Sequence, residues 1–249
     1  MFVHQKKVLA LFKKNIMKKT FAFLSLIILC SCSKTLDLST IDFDKPANLY
    51  SLEKLKTYRT DKQKGHYEIK DLKDKVSLVL KDDGERVTNY IFMDEATSQI
   101  NFYGLNIDPV LGAKVVDYNN EIGFISANII YKKTPELINY LNKKLGKPTD
   151  IIYSERLEEI LDLGASKILF QTLPQYTKKQ KNDLGNDVIN YPQHIIWNKK
   201  NVIYQLTLEP LNNSVNNVIK IISKKAFKDR VIIGFHNPEK DPFLNKYLK

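Results

Sequence analysis

The chain has 249 residues, 43% hydrophobic and 27% charged, with nine Gly and nine Pro, which excludes collagen-like, disordered and multi-span membrane classes. Its formal charge of +11 is uneven: Lys6, Lys7, Lys13, Lys14, Lys18 and Lys19 all precede residue 32, where no Asp or Glu occurs. Without those six, 33 basic residues face 28 acidic ones, a net +5 spread along the chain with no Arg cluster, so nucleic acid is not an expected partner.

From Met17 the sequence reads as a charged start, an apolar run over 21–29, then Cys30-Ser31-Cys32-Ser33-Lys34. That order is the three-part secretory pattern. The run has about half the ~20 residues that a spanning helix needs. Residues 1–16 carry four lysines and a second apolar stretch, and they read as a mis-assigned start upstream of Met17 or, alternatively, as a long basic n-region. A peptide spanning Ile16 and Met17 in the uncleaved precursor contradicts the mis-assigned start.

Leu29-Cys30-Ser31-Cys32 resembles the lipobox of bacterial lipoproteins, with Cys32 in the lipidated position. Cys30 is a poor rival, because bulky Leu29 precedes it where small Ser31 precedes Cys32. Cys30 itself departs from the pattern, in which Ala or Ser is usual two places before the lipidated residue. The resemblance implies cleavage between Ser31 and Cys32, a diacylglycerol thioether on Cys32, and a fatty acid (palmitate or a relative) on the new amino terminus. Each buried methylene contributes about 0.8 kcal/mol, so two or three chains hold durably where one does not. Ser33 stands where an Asp retains some lipoproteins at the inner membrane. The resemblance therefore implies the periplasmic face of the outer membrane. With both cysteines in this leader, the remainder holds no disulfide and no thiolate metal site.

Residues 32–249 read as a lipid-anchored α+β domain, mainly antiparallel sheet, with one clear helix at 135–145 and one or two short helices. Leu36, Leu38, Ile41 and Phe43 suit a strand that leaves about four free residues after the anchor, roughly 14 Å at full extension, while an unstructured stretch over 33–48 would triple that reach, and sequence leaves both open. Leu49, Leu52 and Leu55 suggest a short helix. Strands are expected at 67–69, 76–80, 87–92, 100–105, 113–118 and 121–131. Lys81-Asp82-Asp83-Gly84-Glu85 reads as a hairpin turn with Gly84 at positive φ, and Asn119-Asn120 as another. Linkers this short favour a meander over crossover connections.

The helix at 135–145 has Thr134 as its expected cap, Pro135 at the first position and Glu136 at the positive end. Leu137, Ile138, Leu141 and Leu145 make its apolar face, and Gly146 and Pro148 end it. A strand is expected at 149–153 and a second short helix at 157–163. Further strands are expected at 167–172, 194–197, 202–208, 218–223 and 231–235, with a long polar loop at 174–190 and a frayed tail from Asn237. The size suits one domain, with a division into two lobes near residue 132 left open.

Helix, Leu145-Gly146-Lys147-Pro148, strand, and then Trp197 and Tyr204 on later strands resemble the small outer-membrane-assembly lipoprotein domains. The shared part is about a tenth of the chain, the spacing to Trp197 is longer here, and helix termination alone explains the Gly and Pro.

Catalytic and metal signatures fall short. His66, His194 and His236 have no partner at ligand spacing, and a packed or edge-strand role suits His194. Neither a nucleophile elbow nor a phosphate-cradling glycine loop occurs. Glu155, Glu158, Glu159 and Asp162 read as a solvated helix face rather than a glycosidase pair. Asp82-Asp83-Gly84-Glu85 lacks the ligand set of a calcium loop. Trp197 reads as core. No catalytic residue, cofactor or metal is expected. The expected role is non-enzymatic contact with envelope proteins. The alternatives are a glycan or peptidoglycan-fragment binding module, and a hydrolase whose site is assembled from distant strands.

Overall fold

The computed structural model describes residues 35–72, 75–158, 163–211 and 213–228. Strand β1 is Leu36–Asp37 only. The Asp37 carboxylate accepts from Ser39 N at 2.9 Å and turns the chain into a 3-10 turn at Leu38–Thr40, so the strand expected to reach Phe43 stops early. The helix expected at 49–55 is instead two 3-10 turns, Ala47–Tyr50 and Leu52–Lys54, interrupted by Ser51 at φ 49°.

β2 (Arg59–Leu72) and β3 (Lys75–Phe92) form a long hairpin, with Leu72 pairing Lys75. The hairpin turn expected at 81–85 is therefore not a turn. Pairing steps from Lys64↔Arg86 to His66↔Lys81, so β3 carries extra residues there as a bulge. Gly84 does take φ +84°, at the bulge. After a 3-10 helix at Asp94–Gln99 come β4 (Ile100–Phe102) and β5 (Leu105–Asn106), which join β1 in a small sheet where β1 runs parallel to β4. β6 (Ala113–Tyr118) and β7 (Glu121–Ala127) are joined as expected by Asn119 and Asn120, at φ 50° and 65°.

α1 spans Thr134–Leu145 and buries Leu137, Ile138, Leu141 and Leu145. Each such side chain contributes about 1.5–3 kcal/mol on leaving water. Thr134 is not the cap: it is the first helical residue, Lys133 holds the cap position, and no side chain caps the helix. The Thr134 hydroxyl donates instead to Val215 O at 2.7 Å and accepts from Asn217 Nδ2 at 2.7 Å, tying the helix start to the sheet. Gly146 follows at φ 72°, ψ −153°, a conformation that side chains avoid, and its N–H bonds Asn142 O.

β8 (Asp150–Leu157) runs through the start of the helix expected at 157–163. Residues 159–162 of that expected helix lie outside the described residues, and a helix, α2 (Leu163–Thr172), stands where the strand at 167–172 is expected. Ile168-Leu169-Phe170 reads as strand by propensity, but Ala165, Leu169 and Leu173 are buried at four-residue spacing, so packing decides for the helix. The loop expected at 174–190 contains β9 (Lys178–Lys181) and the start of β10 (Asp187–Asn198). β11 (Val202–Leu211), β12 (Ser214–Ser223) and the short helix α3 (Lys224–Lys228) complete the described chain. The strand expected at 231–235 and the tail from Asn237 lie outside it.

Among the described residues, nine strands form one antiparallel sheet in the order β2-β3-β6-β7-β12-β11-β10-β8, with β9 beside β10. The protein is thus predominantly antiparallel β with a few helices. β2, β3, β6 and β7 step from one edge to the centre, and β8, β10, β11 and β12 step in from the other. Ile219↔Ala127 and its neighbours join β12 to β7, so residues on both sides of position 132 share the sheet. One face carries Val115, Ile125, Leu206 and Ile219 and packs on α1 and α2; the other buries Val116, Phe124, Ile203 and Ile222 with Ala226 and Phe227 of α3.

Candidate functional site

Ser31 and Cys32 lie outside the described residues, which begin at Thr35. Three peptide links separate Cys32 from Thr35, at most about 11 Å of Cα path. The first described residues are firmly held. Leu36 and Asp37 pair with Ile100 and Asn101, Asn101 Nδ2 donates to Thr35 Oγ1 at 3.1 Å, and Tyr103 N donates to Asp37 Oδ1 at 2.8 Å.

An aromatic pair stands beside this start. Tyr103 occupies the β4–β5 turn at φ 56° and is 50% exposed. Its ring stacks on Tyr140 of α1, centroids 3.5 Å apart and planes 20° apart, while Phe102 meets Tyr140 edge-on at 6.2 Å. Lys144 Nζ lies 5.3 Å from the Tyr140 centroid and donates to Ser39 O at 2.7 Å, closing the circle back to the N-terminal segment.

A cleft of about 240 Å³ lies between the N-terminal segment and the β10–β11 turn, lined among others by Asp42, Asp44, Lys199, Asn201 and Tyr204. Asn201 Nδ2 donates to Asp44 Oδ1 at 2.6 Å, and Lys199 Nζ donates to Leu145 O at 2.8 Å. Burial raises the Tyr204 hydroxyl above its ordinary pKa, and Tyr140 and Asp42 add to this. Carboxylates, an amide, amines and a phenol can meet the hydroxyls of a small polar ligand here.

The opposite sheet face carries a second polar group. Register places Lys114, Ser126, Lys220 and Gln205 in one cross-strand row. Burial pushes Lys114 down to about 8, with Asp61 opposing and Arg59 assisting. A low-pKa lysine beside a serine is one element of nucleophilic chemistry. Yet Asp61 and Arg59 sit on the β2 side of Lys114, away from Ser126, and acyl transfer also needs free donors for an oxyanion, which ladder-bonded strands do not supply.

The remaining sequence candidates stay apart. His194 Nδ1 lies 3.0 Å from Thr207 Oγ1 and 3.4 Å from Gln205 Nε2, a packed strand histidine. His66 falls in β2 with its side chain outside the described set, as are the side chains of Asp82, Asp83 and Glu85; His236, Glu159 and Asp162 lie outside altogether. Glu155 and Glu158 belong to the β8 end rather than a helix, bonding Gln180 and Lys179 of β9. Among the described residues no group of His, Cys, Asp or Glu is placed to hold a metal, and no helix is long and apolar enough to cross a membrane. Trp197 is core as expected, 1% exposed, with Nε1 donating to Gly146 O at 2.8 Å. The aromatic pair escaped sequence reading; its one local signal is the Tyr103-Gly104 turn.

Compared with known proteins, the chain matches no family model, no curated protein and no solved structure.

Proposed function

We propose that this chain is a lipoprotein of the bacterial cell envelope, held by lipid on Cys32, whose domain works by contact with other envelope proteins at the periplasmic face of the outer membrane. The observation that carries this reading is the leader, where Ser31-Cys32 closes a charged and apolar signal sequence. The firm pairing of Thr35 to Asp37 with the β4–β5 turn supports it, because a lipid anchor then holds a folded unit and not a slack tether. Mass spectrometry of the amino-terminal peptide of membrane-purified protein tests the anchor. The peptide is expected to begin at Cys32 and to carry acyl mass; an unmodified terminus elsewhere contradicts the reading.

A second reading is a binding module for glycan or peptidoglycan fragments, favoured by the cleft of Asp42, Asp44, Asn201 and Tyr204. Titration with muropeptides under NMR is then expected to shift the amides of residues 42–44 and 199–204. Shifts absent at millimolar ligand contradict it. Tyr103 and Tyr140 cover one another's faces, so they offer one stacking surface and not a platform of two.

A further inference from the structure

Tyr103 is costly where it stands. A side chain at φ 56° is strained, and Gly or Asn would serve the β4–β5 turn better. The turn nevertheless presents a half-exposed phenol, held upright by Tyr140 beneath it. Tyrosine has an apolar ring and a wet hydroxyl, the combination that collects at the headgroup level of a bilayer. Lys144 stands over Tyr140, and exposed Lys143 and Lys147 flank it in sequence at the end of α1, where Lys199 of the β10–β11 turn bonds Leu145 O; Lys200 is exposed on the same turn, against Asp42 and Asp44. The amino terminus of the domain is in the same place, since Asp37 holds Tyr103 N and Ser39 holds Lys144. Cys32 is within about 11 Å of Thr35 by chain length alone.

We propose that this edge is a membrane seat: Tyr103, braced by Tyr140, enters the headgroup layer while Lys143, Lys144 and Lys147 meet anionic lipid phosphates. The occupant is a bilayer surface and not a protein groove, because the three-link span from Cys32 to Thr35 keeps a lipid on Cys32 within chain reach of this edge. The inference rests on lipidation of Cys32. It adds that the domain has one fixed orientation on the membrane, leaving the β9–β10 end outermost for partners. β10 runs twelve residues away from the α1 end, where Trp197 meets Gly146, so the β9–β10 turn stands about 36 Å off along the strand.

The test uses the lipidated protein, purified from membranes and placed in phosphatidylcholine–phosphatidylglycerol vesicles whose acyl chains are brominated near the headgroup. Tyr103→Trp is compared with Leu184→Trp, a position 84% exposed in the β9–β10 turn. Buried Trp197 gives both proteins the same background. Quenching of the Tyr103→Trp protein is expected to exceed that of the Leu184→Trp protein by at least about three-fold, and to fall with salt or on adding Lys143→Glu and Lys147→Glu. Palmitate labelling of the same preparations reads the anchor independently. Labelled protein quenched equally at the two positions overturns the seat and leaves the anchor standing. Unlabelled protein overturns the anchor, and the seat with it.

Discussion

Lys114 shows how far a single residue departs from what its letter suggests. Nothing in the sequence marks it out, yet β6 lies inside the sheet and burial lowers its pKa to about 8. Below that pH the ammonium is charged in both states, and burial weighs against the folded one. Between pH 8 and 10.5 the folded state releases its proton first, so the unfolded state binds more and stability rises with pH. Urea midpoints across that window are expected to rise for the wild type relative to Lys114→Met; parallel curves contradict the assignment. Trp197 was legible as core because a lone Trp amid Ile195 and Ile196 has few other places to go. Tyr103 was not, since only the fold brings β4 against α1 and reveals a strained tyrosine stacked on another. Cys32 is the reverse case: the role proposed for it is read first from adjacent letters.

Among elements, α1 was the most legible, with Pro135, its apolar face and Gly146 all agreeing on its limits. What sequence missed there is the role of Thr134, whose hydroxyl serves Val215 O and Asn217 across more than eighty residues of chain. Local patterns cannot report such a partner. Thr134→Val keeps the shape but leaves a buried carbonyl and a buried amide short of one bond each. It is expected to cost about 1–3 kcal/mol in urea unfolding, with Thr134→Ser recovering most of the loss. An unchanged midpoint contradicts the tie. α2 was misread because Ile168-Leu169-Phe170 favours a strand locally and the burial of Ala165, Leu169 and Leu173 is a property of the packed molecule. The bulge in β3 was misread in the same way: Asp82-Asp83-Gly84 satisfies the chemistry of a turn, and only pairing with β2 reveals that the strand continues.

On the scale of the whole molecule, an antiparallel β-rich class followed from short linkers and strand-like runs, but the central joint between β7 and β12 did not, because those strands stand ninety-odd residues apart in sequence. The sheet buries both faces and gives the molecule a rigid frame, with the N-terminal segment, the end of α1 and the β10–β11 turn gathered at one edge. With the lipid anchor proposed at Cys32, a frame of this kind is suited to holding a contact surface over the bilayer. That account depends on the sulfur at position 32. Cells expressing wild type and Cys32→Ser, fed radioactive palmitate and then fractionated, test it most directly. The wild type is expected to take label and sediment with membranes, and the serine variant to remain unlabelled and move to the soluble fraction; a Cys32→Ser protein still processed, labelled and membrane-bound contradicts the account.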